Sequence, residues 1–249
     1  MGQAGGVVTL TAPAKLTRTL RVTGVRADGF HLIDSEMVTL ALADTLVVRE
    51  AAESALVVDG IPLPDDGAEN LVLRALRAVG RTAHVRLTKR IPAGAGLGGG
   101  SADAGAILRW AGCADVAVAA GLGADVPFCV VGGGRARVRG IGESVDPVPM
   151  GDLEGTAVTV LTPPVHVSTP AVYRAWDALG GPTADGPNDL EPAALVVAPE
   201  LGRWRDEFAA ATGATPVLAG SGATWFVEGA YEGVRVAGVA AVVTHITAL

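Results

Sequence analysis

The chain has 249 residues, of which 49% are hydrophobic and 18% are charged, so its composition excludes a wholly disordered protein. A chain of this length can bury a sizeable core without disulfides, and it suggests one or two domains. The formal net charge of −7 argues against proteins that bind nucleic acid or anionic membranes through a broad basic surface. An anionic ligand would therefore have to be held by local positive groups.

Hydrophobic periodicity predicts short strands alternating with helices. In the first half of the chain, strands are predicted at residues 7–11, 17–23, 31–42, 45–49, 55–58, 83–87 and 135–139. The segment around Pro13 is predicted to separate the first two strands, and Asp28-Gly29 to form a turn. A loop is predicted at 59–68, then a helix over 69–79 that stops at Gly80, and a second helix that opens at Ser101.

The segment 146–152, which contains Pro147 and Pro149, is the best candidate for a linker. Beyond it, strands are predicted at 157–161, 216–219, 224–227 and 241–246, and helices at 170–179, within 191–211 and near 231–237. Two blocks of mixed strands and helices indicate two α+β domains. We expect these domains at residues 1–150 and 151–249.

The cysteines and the N-terminus indicate a cytoplasmic protein. Cys113 and Cys129 have no metal-binding spacing and are predicted to be buried free thiols, as in a reducing compartment. The N-terminus lacks the basic region of a signal peptide, and the longest uncharged run is interrupted by prolines. We expect no membrane segment.

Residues 94–100 include five glycines between a predicted strand and a predicted helix. The first N–H groups of a helix are unpaired, and the helix dipole is positive at that end. Glycines let an anion approach the backbone, so this segment predicts a phosphate site.

Three phosphate motifs compete for this segment. A Walker A loop fails because Gly99-Gly100-Ser101 has no lysine. A Rossmann fingerprint is weak because Pro92 separates the loop from its strand and no strand leads to the acidic candidate Asp115. The remaining motif is Pro-x-x-x-Gly-Leu-Gly-x-x-Ser, which starts at Pro92.

This loop resembles the phosphate loop of the GHMP kinase superfamily. Within that superfamily, further segments are similar to the 4-diphosphocytidyl-2-C-methyl-D-erythritol kinase family: Ala12-Pro13-Ala14-Lys15-Leu16-Thr17, Arg26-Ala27-Asp28-Gly29-Phe30-His31, Leu122-Gly123-Ala124-Asp125-Val126-Pro127-Phe128, Gly140-Ile141-Gly142-Glu143, Thr169-Pro170, Asn188-Asp189-Leu190-Glu191 and Gly220-Ser221-Gly222-Ala223. The ordered set is much more specific than any one motif.

The resemblance implies a two-domain GHMP kinase fold of the α+β class. Its N-terminal domain would resemble domain 2 of ribosomal protein S5, its C-terminal domain would be ferredoxin-like, and the active site would lie between them. The implied reaction transfers the γ-phosphate of ATP to the 2-hydroxyl of 4-diphosphocytidyl-2-C-methyl-D-erythritol, a step of isoprenoid precursor synthesis by the methylerythritol phosphate pathway. ATP and Mg²⁺ would be the cofactors, and the protein would be a monomer or homodimer.

The resemblance also assigns the site residues. Lys15 and Asp125 would be the catalytic pair, and no residue is assigned as a resident metal ligand. The cytidylyl substrate would contact Thr17, Phe30, His31 and Tyr173. The ATP phosphates would be wrapped by Pro92, Ala93, Gly94, Ala95, Gly96, Leu97, Gly98, Gly99, Gly100, Ser101 and Ala102.

The chemistry agrees with these roles, because a weakly nucleophilic tertiary alcohol benefits from a carboxylate that accepts its proton.

Lys89, the second of two lysines, is interpreted as a charge at a strand end. The chain has Thr17 where the family usually has Asn, and Phe30 where it usually has Tyr. Two alternatives therefore stay open: another GHMP small-molecule kinase, and a degenerate nucleotide-binding homologue with little turnover.

Overall fold

The computed structural model describes residues 6–62 and 69–248, so residues 63–68 of the predicted loop lie outside the described residues. The strands are β1 (Val8–Val25), β2 (His31–Glu50), β3 (Ala55–Gly60), β4 (Ala83–Lys89), β5 (Arg135–Gly140), β6 (Ser144–Pro147), β7 (Ala157–Leu161), β8 (Val217–Leu218), β9 (Trp225–Glu228), β10 (Arg235–Val236), β11 (Val239–Ala240) and β12 (Val242–His245). The helices are α1 (Leu71–Ala78), α2 (Gly99–Trp110), α3 (Val116–Leu122), α4 (Val126–Val131), α5 (Thr169–Ala178), α6 (Glu191–Val197) and α7 (Glu200–Thr212), with a 3₁₀ turn at Gly151–Leu153.

A long hairpin of β1 and β2 runs through the first sheet. Its predicted turn is confirmed: Gly29 has a φ of +85° and donates its N–H to the Arg26 carbonyl at 2.9 Å. The predicted break around Pro13 is wrong, because β1 is continuous and pairs with β2 along its length. The register shifts between Pro13 and Lys15, so a bulge accommodates the proline that lacks an N–H.

The first sheet has the order β3-β4-β2-β5-β6, and β1 pairs with β2 outside this order. Helices α1, α2 and α4 cover one face, where Leu46, Leu76, Leu87, Ile107 and Phe128 belong to one buried cluster. The helix predicted over 69–79 begins at Leu71, because the Asn70 side chain accepts the N–H of Val72 at 2.9 Å and caps it.

The second sheet has the order β12-β7-β9-β8 and packs against α5, α6 and α7. Most of its predicted elements are confirmed, but the helix predicted near 231–237 is wrong. That segment leads into the hairpin of β10 and β11, whose turn has positive φ at Ala237 and Gly238. The predicted linker 146–152 contains the end of β6 and the beginning of the 3₁₀ turn.

A third buried cluster joins the two sheets. It combines Leu16 and Leu40 of the first sheet with Val160 and Phe226 of the second, and Leu97 of the glycine segment lies among them. The sheets therefore share core residues, and the glycine segment is held between them.

Candidate active site

A cleft with a volume of about 1200 Å³ lies between the two sheets. Its wall includes side chains from β1, the glycine segment, the start of α4 and the helix α5. Most of the residues that the sequence assigned to the site line this cleft: Lys15, Thr17, Phe30, His31, Pro92, Ala93, Gly94, Ala95, Gly96, Gly98, Gly99, Gly100, Ser101, Asp125 and Tyr173. Leu97 and Ala102 instead face the core, each 1% exposed.

The glycine segment ends in the first turn of α2, as the phosphate-site prediction requires. The helix begins at Gly99, two residues before the predicted Ser101, and the preceding Gly98 has the left-handed φ of +66°. Gly94 and Gly96 also have positive φ, a conformation that side chains disfavour. Gly98 to Ser101 line the cleft, so the unpaired N–H groups at the start of α2 lie at its wall.

The glycine segment, residues 94–100, is fixed by backbone contacts on two sides. Lys15 donates its N–H to the Leu97 carbonyl at 3.0 Å, and Thr224 donates to the Ala95 carbonyl at 3.3 Å. A Cβ on Gly96 would lie 2.7 Å from the carbonyl oxygens of Ala219 and Gly222. The second glycine motif, residues 220–223, therefore packs directly against the segment, and this contact requires glycine at position 96.

Lys15 and Asp125 meet beside this segment. The Nζ atom of Lys15 lies 3.3 Å from Oδ2 of Asp125, and it donates to the Thr17 hydroxyl at 3.1 Å. The Lys15 side chain is 5% exposed and the Asp125 side chain is 33% exposed, so the carboxylate faces the cleft while the ammonium supports it from within. Thr17 thus reaches Lys15 although it is shorter than the usual asparagine.

An aromatic cluster forms another part of the cleft wall. The His31 ring stacks on Tyr173 at a centroid distance of 4.6 Å, and Trp176 lies edge-on to it at 5.6 Å. Nε2 of His31 lies 2.8 Å from Oδ1 of Asp177. Phe30 is 57% exposed at the rim. Burial raises the pKa of the Tyr173 hydroxyl to about 12, so it remains a neutral hydrogen-bond donor at physiological pH.

The sequence assigned no site role to three polar residues that organise this cleft, although Asn188 belongs to one of the quoted motifs. Asp177 follows Tyr173 by one helical turn, and that spacing could have revealed it. Buried Asn188 donates to the carbonyls of Leu218 and Gly220, at 2.9 and 2.7 Å, and so positions the second glycine motif.

The third missed residue is Lys89. It does lie at the end of a strand, but it is buried and paired with Asp44 and Asp103 rather than exposed as a solvated charge. The unusual scarcity of lysine was the one signal for it in the sequence.

Within residues 6–62 and 69–248, no helix is both long and apolar enough to span a bilayer. In the same ranges, no group of three or more His, Cys, Asp or Glu side chains could hold a metal ion.

Known proteins resemble the chain at several levels. The family model for the GHMP kinases N terminal domain matches residues 70–133. The 4-diphosphocytidyl-2-C-methyl-D-erythritol kinase of Paramagnetospirillum magneticum is 39% identical, with 87% of each chain covered. The protein of the same name from Ruegeria pomeroyi is 40% identical, with 86% of each covered.

A crystal structure of 4-(cytidine 5'-diphospho)-2C-methyl-D-erythritol kinase aligns with a TM-score of 0.69 and 34% identity, covering 88% of this chain and 89% of that one. The fold of this chain, and its glycine segment beside the Lys15–Asp125 pair, agree with the family suggested by the sequence motifs. Since both sequence and fold agree over most of its length, the chain belongs to the 4-diphosphocytidyl-2-C-methyl-D-erythritol kinase family of GHMP kinases.

Proposed function

We propose that the chain transfers the γ-phosphate of ATP to the 2-hydroxyl of 4-diphosphocytidyl-2-C-methyl-D-erythritol. The observation that carries this proposal is the Lys15–Asp125 pair, with Nζ 3.3 Å from Oδ2, directly beside the glycine segment. Phosphoryl transfer depends mainly on positioning and on neutralising charge, and these groups supply both.

Asp125 acts as the general base in this proposal. As the 2-hydroxyl oxygen bonds to the γ-phosphorus, its proton passes to the Asp125 carboxylate and the bond from the γ-phosphorus to the bridging oxygen breaks, releasing ADP. The Lys15 ammonium, 3.3 Å from the carboxylate, stabilises negative charge on the reacting oxygens. Thr17 orients Lys15 because its hydroxyl oxygen accepts a hydrogen bond from Nζ.

The ATP phosphates are held at the start of α2. The positive φ values of Gly94, Gly96 and Gly98 shape the backbone into a concave surface, and the helix dipole favours anions there. The Ser101 hydroxyl adds a donor at the same place. Backbone donors explain how a chain with a net charge of −7 can bind a polyphosphate.

Mg²⁺ enters the site with ATP in this proposal. It keeps several waters and usually takes only one or two carboxylates besides substrate phosphates. Glu143 lines the cleft and fits this small requirement, and it would hold the ion from the protein side. When bound, the ion would neutralise charge on the phosphoryl group.

The aromatic cluster is the proposed site for the cytosine base. Tyr173 and Phe30 offer ring faces for stacking, and the His31 ring offers hydrogen bonds to the base edge. Nε2–H of His31 donates a hydrogen bond to Oδ1 of Asp177, and in this tautomer Nδ1 is the acceptor that can face the base.

The decisive experiment compares ADP release with four acceptors: the cytidylylated methylerythritol, mevalonate, homoserine and galactose. We expect turnover with the first alone. Turnover with another acceptor instead would reassign the substrate within the GHMP kinases. ATP binding without ADP release from any acceptor would favour the nucleotide-binding homologue.

A further inference from the structure

Lys89 is a buried ammonium close to the glycine segment that the proposed mechanism does not use. Its side chain is 2% exposed, and Nζ contacts Oδ2 of Asp44 and lies 2.8 Å from Oδ2 of Asp103. The two carboxylates come from β2 and α2, while Lys89 ends β4. One cation thus connects three elements of the first half of the chain.

Asp44 connects Lys89 to the chain just before the glycine segment. Its second oxygen, Oδ1, accepts the backbone N–H groups of Arg90 and Ile91, at 2.5 and 2.9 Å. These are the two residues immediately before Pro92. The chain is therefore held at the point where it leaves β4 and turns toward the phosphate site.

Asp103 connects Lys89 to the other end of the loop. It lies in the second turn of α2, whose first turn contains Gly99 and Gly100. A Cβ on Gly99 would lie 3.1 Å from Nζ of Lys89, so the ammonium also lies directly behind the start of the helix. Between the two anchor points the chain is rich in glycine and loses much conformational entropy when ordered.

We propose that Lys89 is a positioning residue for the nucleotide. Through Asp44 and Asp103 it fixes the two ends of the glycine segment relative to each other, so that the backbone amides of this segment converge on the ATP phosphates. This inference rests on the proposed function only in taking ATP as the ligand. Ordering the loop before ATP binds removes part of the entropic cost of binding.

The chemistry of the cluster favours positioning over stability. Two carboxylates share one ammonium in a buried place, and Oδ1 of Asp103 has no hydrogen-bond partner among the residues that the structure describes. A buried polar atom without a partner costs stability, and apolar residues often replace buried ion pairs without loss. The arrangement is therefore explained better by the geometry it imposes on the loop.

A matched pair of variants at Asp103 tests the proposal. Asp103→Leu keeps the branched shape of the side chain but removes the acceptor for Lys89, while Asp103→Asn keeps an acceptor oxygen. The dissociation constant for Mg·ATP, measured by isothermal titration calorimetry, should rise about tenfold in Asp103→Leu and change less than about twofold in Asp103→Asn, because small displacements of binding groups are costly. Lys89 remains paired with Asp44 in both variants, so the midpoint of thermal unfolding should not fall in either.

Lys89→Met provides the second test and should also weaken Mg·ATP binding about tenfold if it folds. Equal affinity for Mg·ATP in Asp103→Leu and the wild type would overturn the positioning role and leave the proposed function intact. A fall in thermal stability that parallels the loss of affinity would assign the cluster to folding alone. Failure of the wild type to bind Mg·ATP would instead refute both proposals.

Discussion

Replacing Asp125 with asparagine keeps the side chain's shape but removes the charge that faces Lys15 Nζ at 3.3 Å. General bases typically contribute 10²–10⁴-fold, so kcat should fall by about 10²-fold or more in Asp125→Asn and in Lys15→Ala. ADP release at saturating substrates measures this. Asp152→Asn, which changes an exposed carboxylate outside the cleft wall, is the control and should retain wild-type kcat. Near-normal turnover in Asp125→Asn would contradict the mechanism.

The Tyr173 ring gives a second prediction at the same scale. Stacking of a base on an aromatic side chain contributes ~1–3 kcal/mol, so Tyr173→Ala should raise KM for the cytidylylated substrate ~5- to 150-fold. KM for ATP should stay unchanged, because Tyr173 belongs to the aromatic cluster rather than to the glycine segment. Tyr173→Phe keeps the ring and serves as the matched control. Equal KM values for Tyr173→Ala and Tyr173→Phe would place the base elsewhere.

The raised pKa of the Asp103 carboxyl predicts that the stability of the protein depends on pH. Burial raises this pKa from 3.8 to about 7. The nearby Lys89 ammonium opposes this shift, and repulsion from Asp44 adds to it. Between these values the folded state binds more protons than the unfolded state, so the carboxyl costs stability progressively as the pH rises from about 4 to about 7. The stability of Asp103→Asn relative to the wild type should therefore increase over this range. Urea unfolding at several pH values measures the difference, and a constant difference would contradict the raised pKa.

At the scale of elements, the glycine segment offers a matched comparison between two positions. Gly94 and Gly96 both have positive φ, so alanine at either costs ~1–2 kcal/mol. At Gly94 no described atom lies within 4 Å of a new Cβ, whereas at Gly96 the carbonyls of Ala219 and Gly222 would lie 2.7 Å away.

Gly96→Ala should therefore raise KM for ATP by about tenfold or more, since the loop must move from its position. Gly94→Ala should raise it clearly less. Steady-state kinetics with varied ATP tests this order, and the reverse order would show that packing against the second glycine motif does not position the loop.

Elements governed by local chemistry were predictable from the sequence. The turn at Gly29 and the glycine segment before α2 depend on residues close together in the chain, and both are present. The continuous strand through Pro13 depends on pairing with β2, and the hairpin at residues 235–240 was hidden by a spacing that also fits a helix. Within the site, the burial of Lys89 requires Asp44 and Asp103, which only the folded chain brings together.

At the scale of the whole molecule, the cluster that joins the sheets determines how the protein unfolds. We propose that the halves on either side of residue 150 are distinct domains, yet both contribute side chains to this cluster. Phe226 is 4% exposed there, and truncation of a buried phenylalanine to alanine typically costs ~3–5 kcal/mol. Because the core is shared, both halves should unfold in one transition.

Phe226→Ala should lower the free energy of unfolding by that amount, ~3–5 kcal/mol, in urea denaturation. Fluorescence of single-tryptophan variants, retaining either Trp110 in α2 or Trp225 in β9, should report the same midpoint. Val242→Ala changes a residue that is 45% exposed in the same sheet and should have little effect. Separate midpoints for the two tryptophans would show that the halves unfold independently.

The contact between α2 and α4 has a consequence for how this chain evolves. A Cβ on Gly105 would lie 2.7 Å from Cβ of Cys129 and 2.9 Å from its carbonyl oxygen. The helix that begins at the phosphate site and the helix that follows Asp125 can therefore pack this closely only because residue 105 has no side chain. Glycine and alanine codons differ by a single base, and this chain is rich in both residues. Alanine at position 105 would push Asp125 away from the phosphate site, so selection should hold this position at glycine.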